Sequence, residues 1–146
     1  MSEKKQAAPM NPVVHFEMPY ENRERLRKFY QKAFGWQMLE TGKEMGDYVI
    51  AVTSETDENR MVTRPGTING GFFPQIPGGS ALHPSVVIAV EDIKKGMKDV
   101  SAAGGKIPGE PMEIPGIGQY VSFTDTEGNR VGMLEPKNMD YRKKVS

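Results

Sequence analysis

The order of elements along this chain repeats once. Residues 12–36 read as an apolar strand (Val13, Val14, His15, Phe16), an amphipathic helix, and then Phe34-Gly35-Trp36. Residues 84–107 read as a second apolar strand (Val86, Val87, Ile88, Ala89, Val90), a second helix, and then Gly104-Gly105-Lys106-Ile107. Short strand-like runs broken by Gly and Pro follow each unit. Two β-α-β-β-β units in tandem, each about half a small domain, leave few folds open.

The rest of the composition narrows the class. A chain of 146 residues is one domain, large enough for a core without covalent staples. Lys plus Arg equals Asp plus Glu at 19 each, so nothing argues for a nucleic-acid footprint or a membrane-attracted surface. No apolar run approaches the length of a membrane helix, and Met1–Met10 lacks the apolar centre of a signal peptide. The absence of cysteine removes disulfides, thiolate metal sites and cysteine nucleophiles together. The expectation is a soluble, cytoplasmic protein.

Periodicity places the elements. Val13 to Met18 is a strand, ended by Pro19. Leu26, Phe29, Tyr30, Ala33 and Phe34 fall on one helical face, and Gly35 stops that helix. Trp36–Thr41 and Tyr48–Thr53 read as strands around a turn at 42–46, 54–66 as a polar loop, and Thr67–Pro74 as a fourth strand carrying Asn69-Gly70-Gly71. After Pro77-Gly78-Gly79 come a strand at Val86–Val90 and a helix with Ile93, Met97 and Val100 on one face. Short strands follow near Lys106–Ile107 and at Gln119–Thr124, then a turn at 126–129 and a last strand at Val131–Glu135. Residues 1–11 read as a flexible tail, 12–75 and 84–136 as the two modules of one domain, and 137–146 as a charged tail.

Six stretches, in order, resemble the vicinal oxygen chelate superfamily, which includes glyoxalase I, bleomycin-resistance proteins and extradiol dioxygenases. They are Val14-His15-Phe16-Glu17, Phe29-Tyr30-x-x-Ala33-Phe34-Gly35-Trp36, Ile68-Asn69-Gly70-Gly71, Ala103-Gly104-Gly105-Lys106-Ile107, Pro115-Gly116-Ile117-Gly118 and Asp125-Thr126-Glu127-Gly128-Asn129. The resemblance implies an α+β fold of two tandem β-α-β-β-β modules forming a curved, eight-stranded mixed sheet around a central cup. It also implies a homodimer and, in enzymes of the family, one divalent metal held by residues of the first and last strands of each module.

His15 matches the first ligand position that the resemblance implies. The second-module histidine position falls on Ser85, the final glutamate position on Gly132, and the remaining carboxylate position near Gly70 or Gly71. A displaced site built from His15, Glu17 and His83 is one alternative, since residues two apart on a strand share a face. A metal-free acid/base pair of His15 and Glu17 is another. His15, Trp36, Asn69 and Phe72 are the expected ligand-lining residues. The reading is a glyoxalase-like protein with a small-molecule-binding cup, lacking the usual metal site. A metal-dependent lyase, isomerase or dioxygenase with a ligand set rebuilt around His15 is the competing one.

Overall fold

The computed structural model describes residues 10–79 and 81–137; most of the N-terminal tail and the charged tail beyond 137 lie outside them. The first unit comprises β1 (Val13–Tyr20), α1 (Arg23–Phe34), β2 (Gln37–Glu40), β3 (Val49–Val52) and β4 (Asn69–Pro74). The second comprises β5 (Ser85–Ala89), α2 (Ile93–Ala102), β6 (Met112–Ile114), β7 (Gly118–Thr124) and β8 (Arg130–Pro136). They form one eight-stranded sheet in the order β2-β3-β4-β1-β5-β8-β7-β6. Within each unit the first and last strands are parallel, β1 with β4 and β5 with β8. The two units meet through the antiparallel pair β1–β5. The sheet is mixed and curled, as the repeat of elements implies.

Each helix is set by its ends. Asn22 caps α1 by accepting the Arg25 amide at 2.9 Å, and Gly35 ends it in the left-handed region at φ 73°, where only glycine sits without strain. Asp92 caps α2 by accepting from the amides of Lys94 and Lys95. Glu135 of β8 adds a second acceptor for that helix start, taking the Ile93 amide at 2.9 Å.

Alternation along the strands divides the sheet into two faces. The face under the helices carries a separate core for each unit. Under α1 lie Met38, Val49, Ala51 and Phe72, joined by Phe16, Leu26, Tyr30 and Trp36. Under α2 lie Val90, Ile93, Val121, Phe123 and Met133. Tyr30 stacks on Trp36 at 4.7 Å, and Phe72 meets Phe16 edge to face at 6.1 Å. The other face, inside the curl, carries His15, Glu17, Gly71, Ser85 and Gly132.

Three sequence expectations are corrected. Pro19 does not end β1; the strand runs on to Tyr20. Tyr20 accepts the Gln75 amide on the β4 side, so the Pro19 nitrogen faces the β5 side. There the ladder has already stopped at Glu17–Ser85, and no sheet bond is lost. Lys106–Ile107 is not a strand but a single bridge from Lys106 to Thr124. The edge strand lies instead at Met112–Ile114, between two prolines that an edge position tolerates. Finally, the apolar stripe of α1 is wider than its contact. Leu26 and Tyr30 reach the core, while Phe29 and Phe34 stay 56% and 62% exposed.

No helix among the described residues is long and apolar enough to cross a membrane. The two exposures make a test of the packing. Phe72→Ala, which empties a site 1% exposed, is expected to cost about 3–5 kcal/mol of stability. Phe34→Ala is expected to stay within about 0.5 kcal/mol of wild type. Urea unfolding of the two variants checks both values.

Candidate functional site

The site is assembled where the two units meet. Glu17 of β1 stands opposite Gly71 on β4 and opposite Ser85 on β5. It is half-buried, and each of its oxygens accepts a hydrogen bond from a different unit. The Tyr48 hydroxyl donates to Oε2 at 3.0 Å and the Tyr120 hydroxyl donates to Oε1 at 3.0 Å. Tyr48 precedes β3; Tyr120 lies on β7, 103 residues from Glu17.

Glycines make that approach possible. A Cβ at Gly71 would overlap the Tyr48 ring, and one at Gly132 would lie 2.7 Å from the Tyr120 hydroxyl. Each tyrosine therefore lies directly over backbone, its ring in space that any other residue at 71 or 132 would fill. Gly70 plays the same part on the opposite face, where the Phe16 ring covers it.

His15 completes the chain of contacts. Its Nε2 is 2.9 Å from the Tyr48 hydroxyl. That hydroxyl has one proton, and it points to the Glu17 carboxylate, the stronger acceptor. Its oxygen therefore accepts from His15, which assigns the proton of the neutral ring to Nε2. The order of donation is His15 to Tyr48 to Glu17, with Tyr120 donating from the other side.

Burial dominates the electrostatics. It pushes the His15 imidazole down to about 4. It raises the Tyr48 hydroxyl, and the Glu17 charge and hydrogen bond raise it further. Tyr120 is also raised by burial and then by Glu17, with the nearby Arg130 guanidinium pulling the other way. Both phenols thus hold their protons and act as donors, and His15 is neutral at neutral pH. Such a cluster fixes a carboxylate in place while leaving each oxygen a further lone pair for a ligand N–H or O–H.

The expected site residues divide sharply. His15 and Glu17 come together through Tyr48. His83 is exposed in the bend before β5, away from the ladder that holds Glu17 and His15. Among the described residues, no group of three His, Asp or Glu side chains converges on a point that could hold a metal. Trp36 and Phe72 belong to the core under α1, on the opposite face from Glu17; Phe73 is the β4 aromatic residue on the inner face. Asn69 is on that face beside His15, but its carbonyl accepts the Thr53 amide at 2.8 Å and so ties the end of β3 to β4.

Tyr48, Tyr120 and Arg130 escaped the sequence reading. The signal for the tyrosines was present in Gly71 and Gly132, since a glycine in a central strand often marks a large neighbour lying across it. The donor set also does not suit the divalent metal implied by the resemblance. Its imidazole and carboxylate are both engaged with phenols, and two phenol rings fill the ground over Gly71 and Gly132.

Residues 13–133 match the family model described as Glyoxalase/Bleomycin resistance protein/Dioxygenase superfamily. A chloroplastic protein of Arabidopsis thaliana, named a probable lactoylglutathione lyase, is 28% identical over 124 residues, covering 84% of this chain and 34% of the relative. Lactoylglutathione lyase GLX1 of the same plant is 26% identical over 128 residues, covering 84% of this chain and 44% of the relative. The chain thus spans less than half the length of these curated relatives. The solved structure of methylmalonyl-CoA epimerase from Mycobacterium tuberculosis is similar with a TM-score of 0.63 at 11% identity, over 89% of this chain and 91% of that one. At that identity the likeness shows the fold alone.

The low His15 value has a consequence for stability. Between about pH 6.5 and 4 the unfolded chain takes up a proton that the folded one refuses. Stability contributed by His15 is therefore complete above pH 6.5, falls through that window, and levels off below it. The full effect is on the order of 2–3 kcal/mol. Urea unfolding from pH 7 to 4 should show wild type losing that much more stability than His15→Gln; parallel curves would contradict it.

Proposed function

The chain belongs to the glyoxalase/bleomycin resistance protein/dioxygenase superfamily, and from that premise we propose that its cup binds a small molecule at the Glu17 cluster without a metal ion. The observation that carries the reading is the convergence of Tyr48 and Tyr120 on the two oxygens of Glu17. These rings stand over Gly71 and Gly132, two of the positions where the family resemblance would put metal-binding carboxylates. In this chain the centre is organised by hydrogen bonds instead. Glu17 orients a donor group of the ligand, the phenols hold Glu17 still, and His15 holds Tyr48.

The names of the curated relatives support a small organic ligand, since lactoylglutathione is of that class. A rebuilt metal site around His15 is the reading that the geometry favours less. His83 does not join it, and His15 already donates to Tyr48.

Two measurements on the full chain test the proposal. Calorimetric titration of chelator-treated protein with Zn²⁺, Ni²⁺, Mn²⁺ and Fe²⁺ is expected to show no stoichiometric site. A one-to-one metal lost in His15→Ala would overturn the metal-free reading. A thermal-shift screen of small organic acids, amides and alcohols is expected to find stabilising compounds. Their effect should fall about tenfold or more in affinity when Glu17→Gln removes the charged acceptor. Compounds that bind Glu17→Gln as well as wild type would place the ligand elsewhere.

A further inference from the structure

The row of residues that contains Glu17 continues across the sheet. Glu17 pairs with Ser85, the first residue of β5. The parallel register Val87–Gly132 then sets Arg130, the first residue of β8, level with Ser85. Glu17, Ser85 and Arg130 therefore follow one another on three adjacent strands, and alternation turns all three toward the inside of the curl.

Two of these three side chains carry unused donors. Ser85 Oγ and Arg130 Nη1 are both buried and have no hydrogen-bond partner among the described residues. Arg130 makes no ion pair with any described residue. The carboxylate in its own row, Glu17, has an oxygen given to each tyrosine. The guanidinium is held in other ways, beside the Tyr120 hydroxyl and with its carbon 5.9 Å from the centre of the Phe73 ring. An aromatic face supports a guanidinium while leaving its N–H edge for a planar acceptor. Buried donors without acceptors are uncommon and cost folding free energy, so where two occur side by side a ligand oxygen is the natural complement.

We infer that the cup takes a hydroxy-monocarboxylate with an apolar tail, its carboxylate bound by Arg130 and Ser85 and its hydroxyl donating to Glu17. This rests on the reading of the Glu17 cluster as a ligand site and specifies what enters it. Two adjacent donors match the two oxygens of a carboxylate, and the guanidinium fork matches its plane. Arg130 and Glu17 offset each other, so a bound monocarboxylate adds one net negative charge, the least that an anion can add. A dianion such as a phosphate monoester would meet the Glu17 carboxylate with only Arg130 to offset it. The apolar tail follows from Ile50, Phe73 and Leu134, half-buried residues that alternation places on the same face.

The test is calorimetric titration of the full chain with 2-hydroxyhexanoate and 3-phenyllactate, which keep a hydroxyl for Glu17, each against its amide. Wild type is expected to bind the acids at least about tenfold more tightly than the amides, the scale of a charged hydrogen bond. In Arg130→Met that preference disappears while amide binding remains, and Ser85→Ala shows a smaller loss. Arg130→Met without ligand should stay folded, because the guanidinium has no ion-pair partner among the described residues and methionine keeps an apolar side chain against Phe73. Should that variant fail to fold, Arg130→Gln, which keeps a planar amide, serves for the same comparison.

Equal affinity for acid and amide, or a preference that survives the loss of Arg130, would overturn the inference. If amides bind and Glu17→Gln abolishes their binding with no preference for acids, the Glu17 site stands and the Arg130 assignment falls. If neither acids nor amides bind, both fall.

Discussion

The Glu17 carboxylate is the point on which both halves of the molecule close. It sits on β1, which pairs with β5 across the junction of the two units. Tyr48 reaches it from the first unit and Tyr120 from the second. Each unit has its own helix and its own core on the outer face, and neither core crosses the junction. Inside the curl, hydrogen bonds to a single side chain tie the units together. Buried networks of this sort are costly when incomplete and specifying when complete. Here Tyr48 and His15 complete one side, while Ser85 and Arg130 leave the other open.

The same arrangement explains why the centre departs from the chemistry suggested by the resemblance. A metal site in such a cup needs side chains that end in free nitrogen or oxygen at a common point. This chain has glycine at 71 and 132, and it has spent the vacated volume on aromatic rings. The rings bring hydroxyls that keep their protons, so they donate where metal ligands would have to accept. The result is a polar centre with a fixed hydrogen-bond pattern.

Much of the fold was legible because its signals are local and repeated. Apolar alternation, Asn22 and Gly35 at the ends of α1, and the second strand and helix after Pro77-Gly78-Gly79 located most elements and their order. The misplaced edge strand had no such signal, since three residues between prolines carry no period. The site was legible only in part. His15 and Glu17 were visible because their spacing on one strand shows a shared face. On β4 it is Phe73, not Phe72, that lies on the inner face. A shift of one residue reverses the face, and the sequence alone left the facing of β4 open. Tyr48, Tyr120 and Arg130 could not be found by spacing, because they meet Glu17 through pairing between strands far apart in the chain.

That distance bears on how the molecule comes together. The β1–β4 and β5–β8 pairs each close within one unit, whereas the Tyr120–Glu17 contact spans 103 residues. Contacts of such separation carry a larger loop-closure penalty and form late. The polar cluster at Glu17 is therefore complete only once the two units have docked. A bound ligand would then act chiefly on the lifetime of the native state, slowing its opening while leaving the rate of its formation nearly untouched.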